Sequence, residues 1–151
     1  MIITFIGHSS LCIKDEISTR LLSLLTEIIK DHSSVVFYCG GYGDFDNLCA
    51  KACHKLKIQS PTVEVIFVTP YITLSYGQRF KFIEESKIYD KIIYPPIENT
   101  PLRFAISKRN EWMIIQSDIV IAYVNKPYGG AYKALQFAHR KNKKIINLAD
   151  S

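Results

Sequence analysis

No stretch of the 151 residues approaches the roughly 20 consecutive apolar residues that a membrane-spanning helix needs. The first ten, MIITFIGHSS, lack both a basic lead-in and a small-residue cleavage site, so no secretory leader is expected there. Cysteine is sparse. Cys12, Cys39, Cys49 and Cys53 are the four thiols, and without secretory features they do not suggest a disulfide framework. Cys49 and Cys53 are not a C-x-x-C pair and no second pair follows, so the neighbouring His54 does not make a zinc site, and neither metal nor cofactor is expected. The dinucleotide fingerprint G-x-G-x-x-G and the phosphate loop G-x-x-x-x-G-K-[ST] are both missing, as are repeats, linkers and low-complexity tracts. A cytoplasmic globular chain is the expectation that remains.

At 48% hydrophobic and 22% charged residues, the chain has the composition of a single domain over residues 1–151, long enough to bury a proper core. Its net charge is +5, but the nineteen Lys and Arg are dispersed and only HRKNKK, residues 139–144, clusters them. Such a cluster reads as the solvated end of a helix, and nucleic acid is not expected as a partner on this ground. Short apolar runs rich in β-formers occur at 2–6, 34–39, 63–68, 91–95, 118–124 and 144–148. Amphipathic stretches between them predict helices at about 15–31, 45–58, 101–116 and 130–142, with a shorter one near 79–87 inside the long 69–90 connection. The fold class expected is α/β: a Rossmann-like three-layer sandwich with a mainly parallel sheet of about six strands.

Open parallel sheets bind ligands outside the carboxyl ends of their strands. The first such loop offers Gly7, His8 and Ser9; the second offers Gly40, Gly41, Tyr42 and Gly43. The third offers Pro70 and Tyr71, and the fifth Gly129, Gly130, Ala131 and Lys133. Glycine at a helix N-terminus lets backbone N–H groups meet an anion, which points to a phosphate-bearing ligand. Tyr42 and Phe45 either stack on a base or cover the edge of the core, and Tyr71 and Tyr76 either close over a ligand or pack down their loop.

In NTPLRFAISKRNEWMIIQ, Thr100 is a plausible N-cap and Pro101 a plausible first helical residue. At 100° per residue, Leu102, Ala105, Ile106, Arg109, Trp112 and Met113 share one stripe, which places Arg109 in the middle of an apolar face. A buried guanidinium requires a carboxylate, a phosphate or a water-filled cleft. An internal ion pair and a ligand phosphate both answer that need. Under the second, Arg109→Ala is expected to weaken binding and leave the fold intact.

The segment 109–148, with TFIGHSS and FYCGGYGDFDNLCAKA, resembles the SLOG superfamily of Rossmann-like nucleotide-binding domains, which includes the Lonely Guy phosphoribohydrolases and the Smf/DprA proteins. In the Lonely Guy branch an Arg-Lys pair precedes a Met, the next strand ends in Pro-Gly-Gly-x-Gly-Thr-x-x-Glu, and the Arg and Glu serve cleavage of an N-glycosidic bond. Arg109, Met113, Gly129 and Gly130 match; Asn110 replaces the Lys, and Tyr132, Lys133 and Gln136 stand where that branch has Gly, Thr and Glu. A carboxylate can accept a proton or stabilise an oxocarbenium ion, and an amide can do neither.

Arg109 and Gln136 stand at the family's catalytic positions and are the candidates on that resemblance; since Gln136 cannot supply the acid, Asp44, Asp46 or Glu98 are the other sources of a carboxylate. The GHSS opening resembles a branch beginning Gly-His-Arg, with Ser9 in place of the Arg and Lys133 as a possible compensating charge. The resemblance implies a module binding a nucleotide or nucleotide-derived molecule, with Asn110 beside Arg109 in the site, in a homodimer or higher homo-oligomer. A nucleotide N-glycosidase or transferase is the alternative, and a ligand-free interaction protein the second.

Overall fold

Alternation along Ile2–Gly7 sends Ile3 and Phe5 to one face of the sheet and Thr4 and Ile6 to the other, and all four are buried. A strand covered on both faces belongs at the centre of a sandwich. This strand, β1, pairs with β2 (Val35–Cys39) on one side and with β5 (Ile119–Tyr123) on the other. With β3 (Val63–Val68), β4 (Lys91–Ile93) and β6 (Lys144–Asn147) it forms a six-stranded sheet in the order β4-β3-β2-β1-β5-β6, every pair parallel. The computed structural model describes residues 1–72 and 77–150.

Helices α1 (Lys14–Lys30) and α2 (Gly43–Gln59) cover one face, burying Ile17, Leu21, Leu25 and Phe45 against Phe5, Phe37 and Ile121. Helices α4 (Ala105–Gln116) and α5 (Gly130–Arg140) cover the other, where Ile114, Ala134, Leu135 and Ala138 meet Ile6, Val120 and Ala122. The short α3 (Gly77–Ser86) lies between β3 and β4 in the chain. The chain therefore forms the expected Rossmann-like three-layer α/β fold. Among the described residues no helix is long and apolar enough to cross a membrane, and the four cysteines are free thiols.

The predicted helix 101–116 starts later than its sequence suggests. Pro101 has ψ 141°, outside the helical range, and Leu102–Phe104 form a 3₁₀ turn, so α4 begins at Ala105 and Thr100 is not its cap. Leu102 and Phe104 are exposed in consequence, and the buried stripe is Ala105, Arg109, Met113 and Ile114.

Strand order reverses between β1 and β5. Gly7 is in register with Tyr123 at the carboxyl edge, so the loops leaving these two strands run side by side and open a crevice there. Asn147 of β6 fixes one lip. Its Oδ1 accepts the Val124 N–H at 3.1 Å and its Nδ2 donates to the Val124 carbonyl at 3.0 Å.

Candidate functional site

The two glycine-containing loops do different jobs. In Gly40–Gly43 the bare backbone serves internal packing: a side chain at Gly41 would meet the Phe67 ring, just as one at Gly7 of β1 would meet the Phe45 ring. Gly43 has φ +87° and would place a Cβ 2.6 Å from the Ser9 Cα. The positive end of α2 is met by carboxylates of its own first turn. Asp44 accepts the Leu11 N–H at 2.9 Å and pairs with Lys14 at 3.4 Å, while Asp46 accepts the Tyr42 N–H at 2.9 Å. Gly43→Ala is expected to combine left-handed strain with a backbone clash, destabilising by about 2 kcal/mol or more and lowering Tm by about 5 °C in thermal unfolding.

Helix α5 starts in the opposite way. Gly129 has φ +93°, Gly130 opens the helix, and an added Cβ at either would have nothing within 4 Å. No side chain caps this terminus and no acidic residue lies in its first turn. It faces a cleft of about 420 Å³ at the switch point. Gly7, His8 and Ser9 line this cleft from the β1 exit, Tyr42 and Asp46 from the β2 exit and α2, and Arg109 and Asn110 from α4. Lys126, Tyr128, Gly129, Gly130 and Ala131 line it from the β5 exit.

The remaining sequence candidates lie elsewhere. Gly40 sits behind the Arg109 guanidinium, and Gly41 borders a smaller cavity beside Phe67. Pro70 is buried, and Tyr71 belongs to a turn in which the Thr69 hydroxyl donates to its carbonyl at 2.9 Å. Neither lines the cleft. Lys133 and Gln136 line an adjoining groove between α4 and α5. Tyr76 lies outside the described residues. Lys126 and Tyr128 escaped the candidate set although they stand just before the glycine pair; their signal was proximity to the uncapped helix start.

Arg109 is 1% exposed. Its Nη1 donates to the carbonyls of Gly40 at 2.9 Å and Val68 at 2.7 Å, its Nε donates to Asn110 Oδ1 at 2.9 Å, and the guanidinium lies 5.5 Å from the centre of the Tyr42 ring. It ties the ends of β2 and β3 to α4 beneath the cleft. The expectation that Arg109→Ala spares the fold is therefore replaced by its opposite, because the side chain satisfies buried carbonyls.

Asp46, half-buried beside it, has its pKa pushed up to about 6. Burial raises it, while the Tyr42 N–H and the Arg109 charge oppose the rise. His8 accepts the Asn125 N–H on Nε2 at 3.1 Å, stitching the β1 and β5 exits together. Burial and the Lys126 charge hold its pKa below the ordinary value, which favours the neutral ring that this bond requires.

No family model matches the sequence. YoqJ, an uncharacterised SPbeta prophage-derived protein of Bacillus subtilis, is 24% identical over 139 residues, covering 83% of this chain and 81% of its own. The solved DNA processing protein A (DprA) of Helicobacter pylori superposes with a TM-score of 0.65 at 16% identity, over 96% of this chain and 63% of its own. DprA of Streptococcus pneumoniae does so with a TM-score of 0.63 at 15% identity, over 98% of this chain and 51% of its own.

The chain has the DprA-type Rossmann-like fold. The SLOG resemblance holds at the level of this fold, and the chain spans about half to two thirds of the length of the DprA chains it matches. The H. pylori protein binds single-stranded DNA. That finding corrects the reading, drawn from dispersed charge, that nucleic acid is not an expected partner of such a domain. Net charge averages over a surface, whereas a cleft with low-dielectric walls focuses a local field.

Proposed function

We propose that the cleft binds one nucleotide unit of a single-stranded nucleic acid, with a phosphate on the N-terminus of α5 and the base beside Tyr42 and Tyr128. The uncapped helix start carries this reading. Gly129 and Gly130 start α5 at the cleft with open space around them, no acidic residue stands in the helix's first turn, and Lys126 adds a cation to the same lining. Tyr128 is 65% exposed and supplies a stacking face; such stacking is worth about 1–3 kcal/mol per base. The single-stranded DNA bound by H. pylori DprA supports the ligand class by analogy of fold.

Asp46 favours a second reading, hydrolysis of a nucleotide's N-glycosidic bond. A carboxyl group titrating near neutrality in the cleft suits proton transfer. In that reaction water bonds to the sugar carbon, the carbon–nitrogen bond breaks, Asp46 accepts the water proton, and the leaving base takes up a proton. Base release by the wild type and its loss in Asp46→Asn is the expected result under this reading; no release from any nucleotide removes it.

Fluorescence anisotropy with a labelled oligothymidylate tests the first reading. Gly130→Ala is expected to keep or raise stability, since Ala is better than Gly in a helix by up to about 1 kcal/mol and the added methyl meets nothing. It is nevertheless expected to weaken binding, because that methyl occupies the approach of the phosphate. Lys126→Ala is expected to weaken binding and lower the salt slope by about one. Unchanged affinity in both variants overturns the cleft as the site.

A further inference from the structure

We infer that the groove between α4 and α5 is a second subsite, which takes the phosphodiester backbone of a strand leaving the cleft. The inference rests on the cleft reading and extends its ligand from one nucleotide to an oligomer. The groove, about 380 Å³, shares Ile106, Asn110 and Gly130 with the cleft, so the two cavities adjoin at the start of α5. Lys133, Gln136 and Arg140 reach it at positions i, i+3 and i+7 of one helix face, a span of about 10 Å along the axis. One phosphate cannot occupy such a stripe; successive phosphates can.

The chemistry of the lining favours a repeated anion. Lys133 and Arg140 are exposed cations, and Arg140 and Lys141 both lie over the Phe137 ring, at 5.8 and 5.5 Å. Ser107 offers a hydroxyl and Gln136 an amide. Asn110 spends its Oδ1 on Arg109, which leaves its amide N–H groups as donors. The acid in the lining, Glu111, is paired with Lys108 at 3.1 Å. The groove thus offers donors and positive charge with its carboxylate already matched. Residue 136 being an amide suits this role, since a carboxylate there would repel a backbone phosphate.

The test compares a 5′-phosphorylated thymidine dinucleotide with a thymidine octamer, titrated at several salt concentrations against wild type, a Lys133→Ala/Arg140→Ala double variant and Gln136→Glu. All three substituted side chains are exposed, and unchanged melting temperatures check that the fold is kept. The wild type is expected to bind the octamer more tightly and with the steeper salt dependence. The double variant is expected to lose tenfold or more in octamer affinity and one to two in the salt slope, with the dinucleotide unaffected. Gln136→Glu is expected to weaken the octamer selectively.

Octamer binding unchanged in both groove variants, while Gly130→Ala weakens it, overturns the groove and leaves the cleft standing. A wild type that binds neither length overturns the cleft reading, and the groove falls with it.

Discussion

Arg109→Ala is expected to destabilise the native state by about 3–5 kcal/mol and to lower Tm by about 10 °C. Arg109 is the largest of the fully buried side chains, and its truncation acts through three separate losses. The carbonyls of Gly40 and Val68 lose their guanidinium donor at the buried ends of β2 and β3, where water replaces it poorly. The volume of the side chain becomes a cavity between α4 and the sheet. Asp46 loses a nearby positive charge that opposes the rise in its pKa. Arg109→Lys keeps the charge but not the fork that reaches two carbonyls and Asn110 together, so its melting temperature is expected between those of wild type and Arg109→Ala. An alanine variant melting within 2 °C of wild type would show that these bonds contribute little. Because the expected effect is on folding, weaker ligand binding by Arg109→Ala says nothing about ligand contact. Gly130 and Lys126 carry that question instead.

The parts of the fold set by local pattern were legible in the sequence. The strands of the sheet announced themselves as apolar runs, and 100° spacing placed Arg109 inside an apolar face, where it is 1% exposed. What meets its charge was not legible, since its two carbonyl partners lie 69 and 41 residues away and converge only when β2 and β3 pair in register. The His8–Asn125 bond is hidden for the same reason, depending on β1 lying beside β5.

The glycine loops teach a different lesson. FYCGGYGDFD reads as a phosphate loop on its glycines alone, yet Asp44 and Asp46 stand in the same motif and answer the positive end of α2 from within. NKPYGGAYK carries no acid after its glycines, and the helix it starts has no acidic residue in its first turn at the cleft. The first turn of the following helix thus discriminates between two loops that their glycines do not. Gln136, a candidate catalytic position, lines the adjoining groove and not the cleft, because it lies further along α5 than the glycine pair.

Asp46→Asn is expected to raise stability at pH 7 by roughly 1–3 kcal/mol and to remove one component of the pH dependence of unfolding. The sign follows from a native pKa of about 6 against an ordinary carboxyl value of 3.8. Below pH 4 the carboxyl is protonated in both native and unfolded chains and destabilises neither. Between pH 4 and 6 the unfolded chain ionises first, so wild-type stability falls as the pH rises, and above pH 6 the full difference persists. An Asn side chain keeps an oxygen for the Tyr42 N–H and has no charge to bury. Melting curves of the two proteins from pH 4 to 8 are expected to diverge between pH 4 and 6, with the variant the more stable at pH 7. His8 titrates in both proteins, so its part cancels in the difference. Parallel profiles would mean that Asp46 titrates as an ordinary surface carboxylate.

The same group links stability to the cleft. A phosphate bound at α5 adds negative charge to a cavity that Asp46 lines, which pushes the carboxyl pKa further up and makes binding take up protons near neutrality. Wild-type affinity for an anionic ligand is therefore expected to rise as the pH falls from 8 to 6, and Asp46→Asn to show a flatter profile. A carboxylate that destabilises the fold and opposes an anion in its own cleft has a use where a proton is moved. Base release distinguishes the two roles. A variant that binds nucleotide at least as well as wild type, but no longer releases base, would assign Asp46 to chemistry. Improved binding with no release by either protein would leave it as a pH-dependent brake on the anion.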